Sequence, residues 1–485
     1  MPLDDIRALR LKKLEALRKK NIDPYPAVSR RTHLVKDALH SFSSLARSKK
    51  EITVAGRIVA VREHGGSVFS DLRDGSGVLQ AYFKRDVLGD EFGLFLDTAD
   101  IGDFVEVSGT LFKTKKLEKT IEVNKWAMLA KTLLPLPDKW HGLQDVEERF
   151  RMRYLDLLMN NGIREHFEKR AHILSEIREY MKKNGFLEVE TPMLHSIAGG
   201  ALARPFVTHH NAFDSDFFLR IAPELYLKRL LAGGFEQVFE IGKNFRNEGV
   251  DAEHNPEFTE LECYAAYWNE QDMMKFVESL VSLLVKKFGA DGKISYGGKT
   301  ITVRAPFHRV SFADLLKRYA LIVDFDSETR DSLAVRARQI GIDTEKHEQK
   351  GKIADAIYKK ICRPYIDQPT FVVDHPLDIS PLAKKYPQGN AVRRFQLIAA
   401  GMEIMNGFAE LNDPLDQRER FKMQEMGREK GEEETHPFDE EFVEMLEYGM
   451  PPAAGLGIGI DRLIMLLTDI KNIREAVLFP TLRPK

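Results

Sequence analysis

The stretch FRNEGV at residues 245–250, followed by HNPEFTELECYAAY at residues 254–267, decides how the rest of the chain is interpreted. It places seven charged or aromatic side chains in one predicted strand–turn–strand unit: Arg246, Glu248, His254, Phe258, Glu260, Glu262 and Tyr264. Any one of these residues, taken alone, is better explained by the ordinary alternation of polar and apolar side chains in a half-exposed hairpin. A simple hairpin does not require so many charged side chains together. Together they predict a site for a nucleotide and an amino acid.

Strand geometry refines this prediction. In an extended chain Glu260, Glu262 and Tyr264 share one face, so that Glu262 and Tyr264 reach the same ligand. Cys263 points to the opposite face, where we expect a structural role.

Composition indicates a multidomain globular protein of a reducing compartment. The chain has 485 residues, of which 43% are hydrophobic and 30% charged, with a formal net charge of −2. A chain of this length is too long to fold around a single hydrophobic core. Its two cysteines, Cys263 and Cys362, exclude a disulfide framework and a cysteine-ligated zinc. No apolar run reaches the roughly 20 residues of a membrane span, and acidic residues near the start argue against a transit peptide. We expect a cytoplasmic protein without a membrane segment.

The first 150 residues divide into three predicted segments. Residues 1–50 begin with a basic amphipathic helix over residues 3–20, which is compatible with phosphate binding or with docking on its neighbour. Residues 51–131 contain five alternating runs punctuated by glycine, which predicts a five-stranded OB-fold barrel. Phe69 in this barrel is equally explained as core or as a stacking surface for a base. Pro135 and Pro137 mark a linker over residues 132–150.

Residues 151–485 are predicted to form a second domain. A helical pattern over residues 163–183 is followed by Asn184-Gly185 and the extended run FLEVETPML. Residues 327–366 are helical and basic and suggest an inserted subdomain. GLGIGIDR at residues 455–462 has alternate glycines and matches neither a Rossmann fingerprint nor a P-loop. It predicts a strand with a bare surface for a planar ligand, or a bulge, leading into a helix that carries Arg462 at its start.

Several motifs resemble those of the class II aminoacyl-tRNA synthetases. GFLEVETPML, FRNEG with HNPEFTELE, and GLGIGIDRLIMLL are similar to motifs 1, 2 and 3 of that class, and IAGGALARPFVTHHN with NGFAELNDP resembles its bacterial lysine-specific members. The resemblance runs from about residue 50 to the C-terminus. It implies an α+β fold, in which an N-terminal OB-fold barrel precedes a central antiparallel sheet flanked by helices. It also implies a homodimer that joins lysine to tRNA(Lys) with ATP.

The resemblance assigns an ATP site. Adenylate formation is an in-line attack of an already ionised carboxylate on the α-phosphate, so the site needs positioning and positive charge, not a general base. By their place in the motifs, the catalytic residues are Arg246 at the α-phosphate and Arg462 at the γ-phosphate, and Phe258 stacks on adenine. The implied ATP-binding set is Arg246, Glu248, His254, Phe258, Glu403 and Arg462.

The resemblance also implies a lysine pocket of carboxylates and a hydroxyl group. The set is Gly200 and Glu224 at the α-amino end, Tyr264 and Glu410 at the ε-ammonium with Glu262 beside them, and Asn406 at the carboxylate. Glu403 and Asn406 fall on opposite faces of a regular strand. We therefore expect a bulge between them, permitted by Gly407.

The implied magnesium site departs from the family pattern. That pattern has two carboxylates seven residues apart, whereas this chain has Glu403 but Gln396 at the earlier position. An amide carbonyl still binds a hard cation, but one negative charge is lost. We expect fewer or weaker bound Mg²⁺ ions.

In the barrel, four residues correspond to those with which the family reads the middle base of the lysine anticodon: Arg62, Phe69, Gln80 and Glu118. Phe69 would stack on that base. Three alternatives stay open, namely an aspartyl- or asparaginyl-type synthetase, a catalytically silent tRNA-binding paralogue and a lipid-lysinylating membrane enzyme. Glu410 with Tyr264 favours a cationic substrate, and the presence of Arg246, Glu403 and Arg462 favours an active enzyme.

Overall fold

The structure is a computed structural model, and it describes residues 2–137, 143, 145–160, 162–345, 348–429 and 436–484. Two compact units divide after residue 144. The segment predicted as a linker, residues 132–150, spans this division. Its residues 138–142 and 144 lie outside the described part of the chain.

The first unit is a closed five-stranded barrel with short helices around it. The strands β1 (Ile52–His64), β2 (Ser67–Arg73), β3 (Val78–Lys84), β4 (Phe104–Lys113) and β5 (Lys119–Ala130) close in the order β1-β2-β3-β5-β4. Before the barrel lie α1 (Leu3–Lys19), α2 (Val35–His40) and α3 (Phe42–Ser48), and between β3 and β4 lie α4 (Arg85–Leu88) and α5 (Asp90–Thr98). The predicted five-stranded barrel is confirmed.

Alternation along β2 decides the position of Phe69. Val68, Ser70 and Leu72 are buried, while Phe69 and Asp71 between them are only half-buried. Because successive side chains of a strand point to opposite faces, Phe69 lies on the outer face of the barrel. The interpretation of Phe69 as a core residue is therefore wrong.

The helix α1 docks on the barrel unit through part of its basic face. Leu14 and Leu17 are buried. Arg10 is also buried and donates hydrogen bonds to Thr132 Oγ1 at 2.6 Å and to the Ile101 carbonyl at 2.9 Å. These contacts support the docking alternative for this face of α1.

The second unit is built on an eight-stranded sheet. Its strands are β6 (Leu187–Glu188), β10 (Gln237–Phe245), β11 (Glu257–Ala266), β14 (His308–Ser311), β15 (Thr370–Pro376), β16 (Ala391–Ala399), β17 (Met402–Ala409) and β18 (Ala453–Gly459). Their order is β14-β15-β16-β17-β18-β11-β10-β6. Only the outer pairs β14–β15 and β6–β10 are parallel among these strands. The predicted central antiparallel sheet is therefore confirmed.

Two small sheets and twelve α-helices accompany this sheet in the described part of the unit. The small sheets are β7 (Leu194–His195), β8 (Val207–His210) with β9 (Ser215–Leu219), and β12 (Lys293–Tyr296) with β13 (Lys299–Thr302). The helices are α6 (Val146–Arg151), α7 (Arg153–Met159), α8 (Ile163–Lys183), α9 (Glu224–Ala232), α10 (Glu270–Phe288), α11 (Phe312–Ala320), α12 (Arg330–Gln339), α13 (Lys350–Ile357), α14 (Pro414–Glu429), α15 (Glu440–Tyr448), α16 (Ile460–Thr468) and α17 (Ile473–Ala476).

Helices α8, α10 and α16 cover one face of the sheet. Their apolar sides, including Ile177, Leu280 and Ile464, pack in one core with Leu261 and Cys263 of β11. The helix predicted over residues 163–183 is confirmed as α8. The opposite face of β11 remains open for the polar residues of the central motif.

The segment of residues 327–366 contains α12, α13 and a π-helical turn at Tyr358–Cys362. Its residues 346–347 lie outside the described part. Leu333, Ile353 and Tyr358 pack in a core that also contains Val372 and Ile398 of the sheet. The segment therefore shares a core with the sheet edge, and Tyr358 is held next to the polar face.

Candidate active site

A cleft lies over β11, β17 and β18 on the open face of the sheet. Its main cavity measures about 610 Å³, a usual size for a small-molecule site. A second pocket adjoins it, and the two share Arg246, Glu248, His254, Glu260, Glu403, Asn406, Gly457 and Arg462. Phe258 lines the second pocket, and Gly200, Glu224, Glu262, Tyr264 and Gln396 line the main cavity. Of the ATP, lysine and metal residues predicted from sequence, Glu410 alone is beneath the cleft and not on its wall.

Because side chains alternate between the two faces of β11, its polar residues point into the cleft. Glu260, Glu262 and Tyr264 line the cavity, and Cys263 lies in the apolar core behind the sheet. The backbone of β11 is held between β10 and β18 by antiparallel pairing. The strand period predicts that these three residues share one face, and the structure confirms this prediction.

A β-bulge in β17 brings Glu403 and Asn406 to the same cleft. Leu397 pairs with Met405, and the next residue of β16, Ile398, pairs with Glu403, so Ile404 is the extra residue. The expected bulge is present. Its attribution to Gly407 is wrong, because Gly407 pairs regularly with Phe395. A Cβ at Gly407 would lie 2.6 Å from the Phe395 ring.

At one end of the cleft, Arg462 is held by three acceptors. Its guanidinium donates to the carbonyls of Glu253 at 3.2 Å and Glu403 at 3.1 Å, and to His254 Nε2 at 2.9 Å. His254 Nδ1 lies 2.9 Å from the Asp251 carboxylate. Because an arginine only donates, His254 Nε2 accepts from Arg462, and Nδ1 faces the Asp251 carboxylate.

Arg246 lies at the same end with looser contacts. Its guanidinium carbon is 4.9 Å from the centre of the Phe258 ring, a cation–π arrangement. Its hydrogen bonds to the Ile221 carbonyl are 3.4 Å long, and Glu260 Oε2 is 3.9 Å away. The cleft therefore presents two guanidinium groups and one aromatic face at this end, a combination suited to phosphates and a planar base.

Carboxylates dominate the other end of the cleft. The Tyr264 hydroxyl donates to Glu262 Oε2 at 2.9 Å, and both residues are buried. Burial, followed by the charges of Glu260 and Glu224, raises the pKa of Glu262 well above its ordinary value. The same burial raises the pKa of Tyr264, so the phenol stays protonated and able to donate. This end is suited to a cationic ligand.

Glu410 lies directly beneath Gly455 of β18. A Cβ at Gly455 would be 2.2 Å from Glu410 Oε1 and 2.4 Å from the Tyr264 ring. Glu410 is fully buried, and its Oε1 has no hydrogen-bond partner within the described residues. Burial raises the pKa of Glu410 to about 8. Such an orphaned carboxylate oxygen is costly unless a ligand satisfies it.

Two residues of this end were missed from the sequence. Lys228 Nζ lies 2.5 Å from Glu224 Oε1 and 2.5 Å from Glu410 Oε2. His436 Nε2 accepts a hydrogen bond from the Gly200 backbone at 2.8 Å, and burial lowers the pKa of His436 to about 4. The spacing of four residues between Glu224 and Lys228 on α9 was a usable signal. His436 had none, because its partner is 236 positions away along the chain.

The side chains at the predicted metal position are hydrogen-bonded to each other. Gln396 Nε2 donates to Glu403 Oε2 at 2.9 Å, and the Tyr358 hydroxyl donates to Gln396 Oε1 at 3.3 Å. Within the described residues, no group of three or more His, Cys, Asp or Glu side chains is arranged to hold a metal. Glu403 alone therefore offers a cation its charge here.

In the first unit, three of the residues predicted to read the anticodon lie on β1, β2 and β3, and the fourth directly precedes β5. Phe69 pairs with Arg62 across β1–β2, and its ring stacks on Tyr82 of β3 at 4.6 Å. Arg62 donates to both oxygens of Asp71, at 2.6 and 3.0 Å. This hydrogen-bonded pairing raises the pKa of Arg62. Gln80 of β3 pairs with Asp71 and accepts from Thr120, while Glu118 is exposed just before β5.

Comparison with known proteins agrees with both units. A family model described as "tRNA synthetases class II (D, K and N)" matches residues 145–483. A model described as "OB-fold nucleic acid binding domain" matches residues 52–129. The chain therefore belongs to the class II tRNA synthetases.

Relatives identify the member of that class. Lysine–tRNA ligases of Carboxydothermus hydrogenoformans, Roseiflexus sp. (strain RS-1) and Enterococcus faecalis are 48%, 47% and 45% identical to this chain. The alignments cover 100%, 100% and 99% of this chain and 99%, 100% and 98% of the respective relatives. Within its class the chain belongs to the lysine–tRNA ligases, and its activity is the ligation of lysine to tRNA. No helix among the described residues is long and apolar enough to cross a membrane.

Proposed function

We propose that the cleft of the second unit binds ATP at its arginine end and lysine at its carboxylate end. Arg246 and Arg462 contact the α- and γ-phosphates, and Phe258 stacks on adenine with Glu248 and His254 beside the nucleotide. The arrangement that supports this assignment is two guanidinium groups next to the half-buried ring of Phe258. Glu403 completes the nucleotide end, because the bulge in β17 turns its side chain into the cleft.

The reaction at this site has two displacement steps. A carboxylate oxygen of lysine forms a bond to the α-phosphorus, and the bond from that phosphorus to the leaving oxygen breaks to release pyrophosphate. A ribose hydroxyl at the 3′ end of the tRNA then attacks the lysyl carbonyl, loses its proton and displaces AMP. Arg246 and Arg462 offset the negative charge that accumulates on the phosphates, which lowers the barrier without a general base.

The single observation that carries the lysine assignment is the orphaned Oε1 of Glu410. It lies buried beneath a glycine, next to the Tyr264 ring, and lacks a hydrogen-bond donor among the described residues. An ε-ammonium entering over Gly455 supplies that donor. Glu224 and the Gly200 backbone bind the α-amino group at the near end, with Glu262 between and Asn406 at the carboxylate.

An acidic amino acid suits this end poorly. A substrate carboxylate needs a cation that is free to pair with it. The buried cation at this end, Lys228, is already paired with Glu224 and Glu410. The aspartyl alternative is disfavoured on this ground.

We propose Mg²⁺ as a partner of ATP, held on the protein by Glu403. When bound, a magnesium ion neutralises phosphate charge and binds oxygen ligands. Glu403 suits this role as an accessible carboxylate, but Gln396 directs an N–H toward the same carboxylate oxygen. Gln396 therefore adds no ligand in this arrangement, which supports the expectation of fewer or weaker ions.

Four further proposals extend the assignment beyond the cleft. The outer face of the barrel reads the tRNA(Lys) anticodon through Arg62, Phe69, Gln80 and Glu118. Two copies of the chain form a homodimer through the motif 1 segment of α8 and the strand after it. The buried, unpaired thiols of Cys263 and Cys362 suit the reducing cytoplasm. The segment boundaries 1–50, 51–131, 132–150 and 151–485, with the insertion at 327–366, are retained as the proposed domain organisation.

Lysine-dependent ATP–pyrophosphate exchange tests the cleft assignment. We expect exchange with lysine and none with aspartate or asparagine. Glu410→Gln should lose lysine-dependent exchange, while Glu118→Gln in the barrel should keep it because activation requires only ATP and lysine. Exchange with aspartate, or none with any amino acid, would contradict the assignment.

A further inference from the structure

A buried ammonium connects the two ends of the lysine pocket. Lys228 of α9 is 1% exposed, and its Nζ lies 2.5 Å from one oxygen of Glu224 and 2.5 Å from one oxygen of Glu410. The rings of Phe408 and Phe442 lie 5.3 and 5.9 Å from the same nitrogen. The ammonium is therefore enclosed by two carboxylates and two aromatic faces, with no room for solvent.

The charges around Lys228 explain why a cation is needed there. Glu224, Glu262 and Glu410 are three buried carboxyl groups at this end, and Lys228 is the buried ammonium among them. With all four ionised, the cluster has two net negative charges, which match the two ammonium groups of a bound lysine. Without Lys228, burial would keep at least one carboxyl group protonated, and the pocket would lose an acceptor.

Four other charged or titratable groups near this cluster already have hydrogen-bond partners. Glu260 accepts from Asn244 at 2.7 Å, and Arg394 donates to Asn406 at 2.8 Å. The Tyr264 hydroxyl donates to Glu262, and His436 is neutral, with its Nε2 accepting from the Gly200 backbone. None of these four replaces the contact of Lys228 with both Glu224 and Glu410.

We propose that Lys228 is a positioning residue that sets the specificity of the amino-acid pocket. Its ammonium contacts one oxygen of Glu224 and one of Glu410, which leaves Glu410 Oε1 for the substrate and favours the ionised form of both carboxylates. The enzyme thus uses an internal lysine to shape a pocket for an external one. This inference rests on the proposed assignment of the cleft as the lysine site.

The test compares Lys228→Met with Lys131→Met. Lys131 in the barrel unit is also fully buried between two carboxylates, at 2.5 Å from Asp100 and 2.7 Å from Asp103. It therefore reproduces the structural consequence of losing a buried ion pair but lies outside the cleft. KM and kcat for lysine in ATP–pyrophosphate exchange are measured from pH 6 to 8.5, together with KM for ATP and thermal melting.

We expect Lys228→Met to raise the KM for lysine about 10- to 100-fold, the effect of losing charged hydrogen bonds. The pH midpoint of kcat/KM for lysine should rise by about one unit, because the carboxylates lose the cation that favours their ionised form. KM for ATP should stay within about twofold of wild type, and Lys131→Met should change none of these values. A folded Lys228→Met with wild-type lysine KM and pH midpoint would overturn the proposal.

Two further outcomes are distinguishable. If Lys228→Met does not fold, Lys228→Arg decides: a retained pH midpoint supports the role of the charge, and a midpoint raised by about one unit contradicts it. If wild type itself shows no lysine-dependent exchange, the assignment of the cleft fails and the role of Lys228 fails with it, whereas an unchanged Lys228→Met beside an active wild type overturns the role of Lys228 alone.

Discussion

Gln396 shows how one side chain alters a site without removing it. Its amide donates to Glu403 and accepts from Tyr358, so it replaces a carboxylate by a hydrogen-bonded connection to the π-helical turn. The negative charge that a second carboxylate would add is absent. The hydrogen bond from Gln396 holds the Glu403 carboxylate in position.

Gln396→Glu should restore that charge. We expect tighter magnesium binding, seen as ATP–pyrophosphate exchange that reaches half its maximum at a Mg²⁺ concentration several-fold lower than in wild type, since an added carboxylate strengthens a hard-cation site. Titration of exchange activity with Mg²⁺ at fixed ATP measures it. Superimposable Mg²⁺ titration curves for the two proteins would contradict the expectation of tighter magnesium binding.

Phe69 belongs to the outer face of the barrel, where its ring stacks on Tyr82. Phe69→Ala should lower kcat/KM for tRNA(Lys) about 10- to 100-fold, the usual contribution of a base–aromatic stack. Aminoacylation with varied tRNA concentration measures this loss. Lysine-dependent pyrophosphate exchange serves as the control and should not change. Unimpaired charging by Phe69→Ala would count against a stacking role.

At the scale of elements, two irregular features of the sheet create the cleft. The bulge at Ile404 turns Glu403 toward the same side as Asn406. The glycines of β18 leave the floor of the cleft open, and they differ in what a Cβ at each position would meet. A Cβ at Gly455 would collide with Glu410 and Tyr264, whereas one at Gly459 has no neighbour closer than 3.8 Å.

These glycines form a matched pair for mutation. Gly455→Ala should raise the KM for lysine about tenfold or more, because the added methyl group occupies the space between the strand and Glu410, and overpacking costs about 1–3 kcal/mol. Gly459→Ala should leave that KM unchanged. Steady-state exchange kinetics with varied lysine measures both variants. Equal changes in the KM for lysine in the two variants would show that Gly455 does not form the floor of the lysine pocket.

At the scale of the whole molecule, the lysine end of the cleft couples ligand binding to stability. Burial raises the pKa of Glu410 to about 8 and also raises those of Glu224 and Glu262. The folded protein therefore holds protons that the unfolded chain has lost above about pH 4.5. The free energy of unfolding of the ligand-free protein falls as pH rises from there to about 8, through this end of the cleft.

Lysine should reverse that fall. Its ammonium pairs with the ionised carboxylate, so the rise in melting temperature caused by saturating lysine should grow between pH 6 and about 8.5. Thermal melting with and without lysine across this range measures the effect. In Glu410→Gln the growth should be reduced. A lysine-induced rise that shrinks as pH increases would contradict the assignment of Glu410.

Local pattern in the sequence determined the barrel, the helix α8, the glycine strand with its helix, and the shared face of Glu260, Glu262 and Tyr264. These features depend on periods of two or 3.6 residues and on glycine and proline, which act over short stretches of chain. The expected bulge between Glu403 and Asn406 followed from the strand period together with the ligand roles that the resemblance implies for both residues.

The tertiary structure alone decided the contacts between distant parts of the chain. The outward position of Phe69 depended on which face of β2 closed the barrel, and the regular pairing of Gly407 depended on the register with β16. The contacts of Lys228 with Glu410 and of His436 with Gly200 join residues that no local pattern connects. These contacts are buried, and a charge or a donor that is removed from water needs a partner within the protein. The fold supplies that partner from a distant part of the chain.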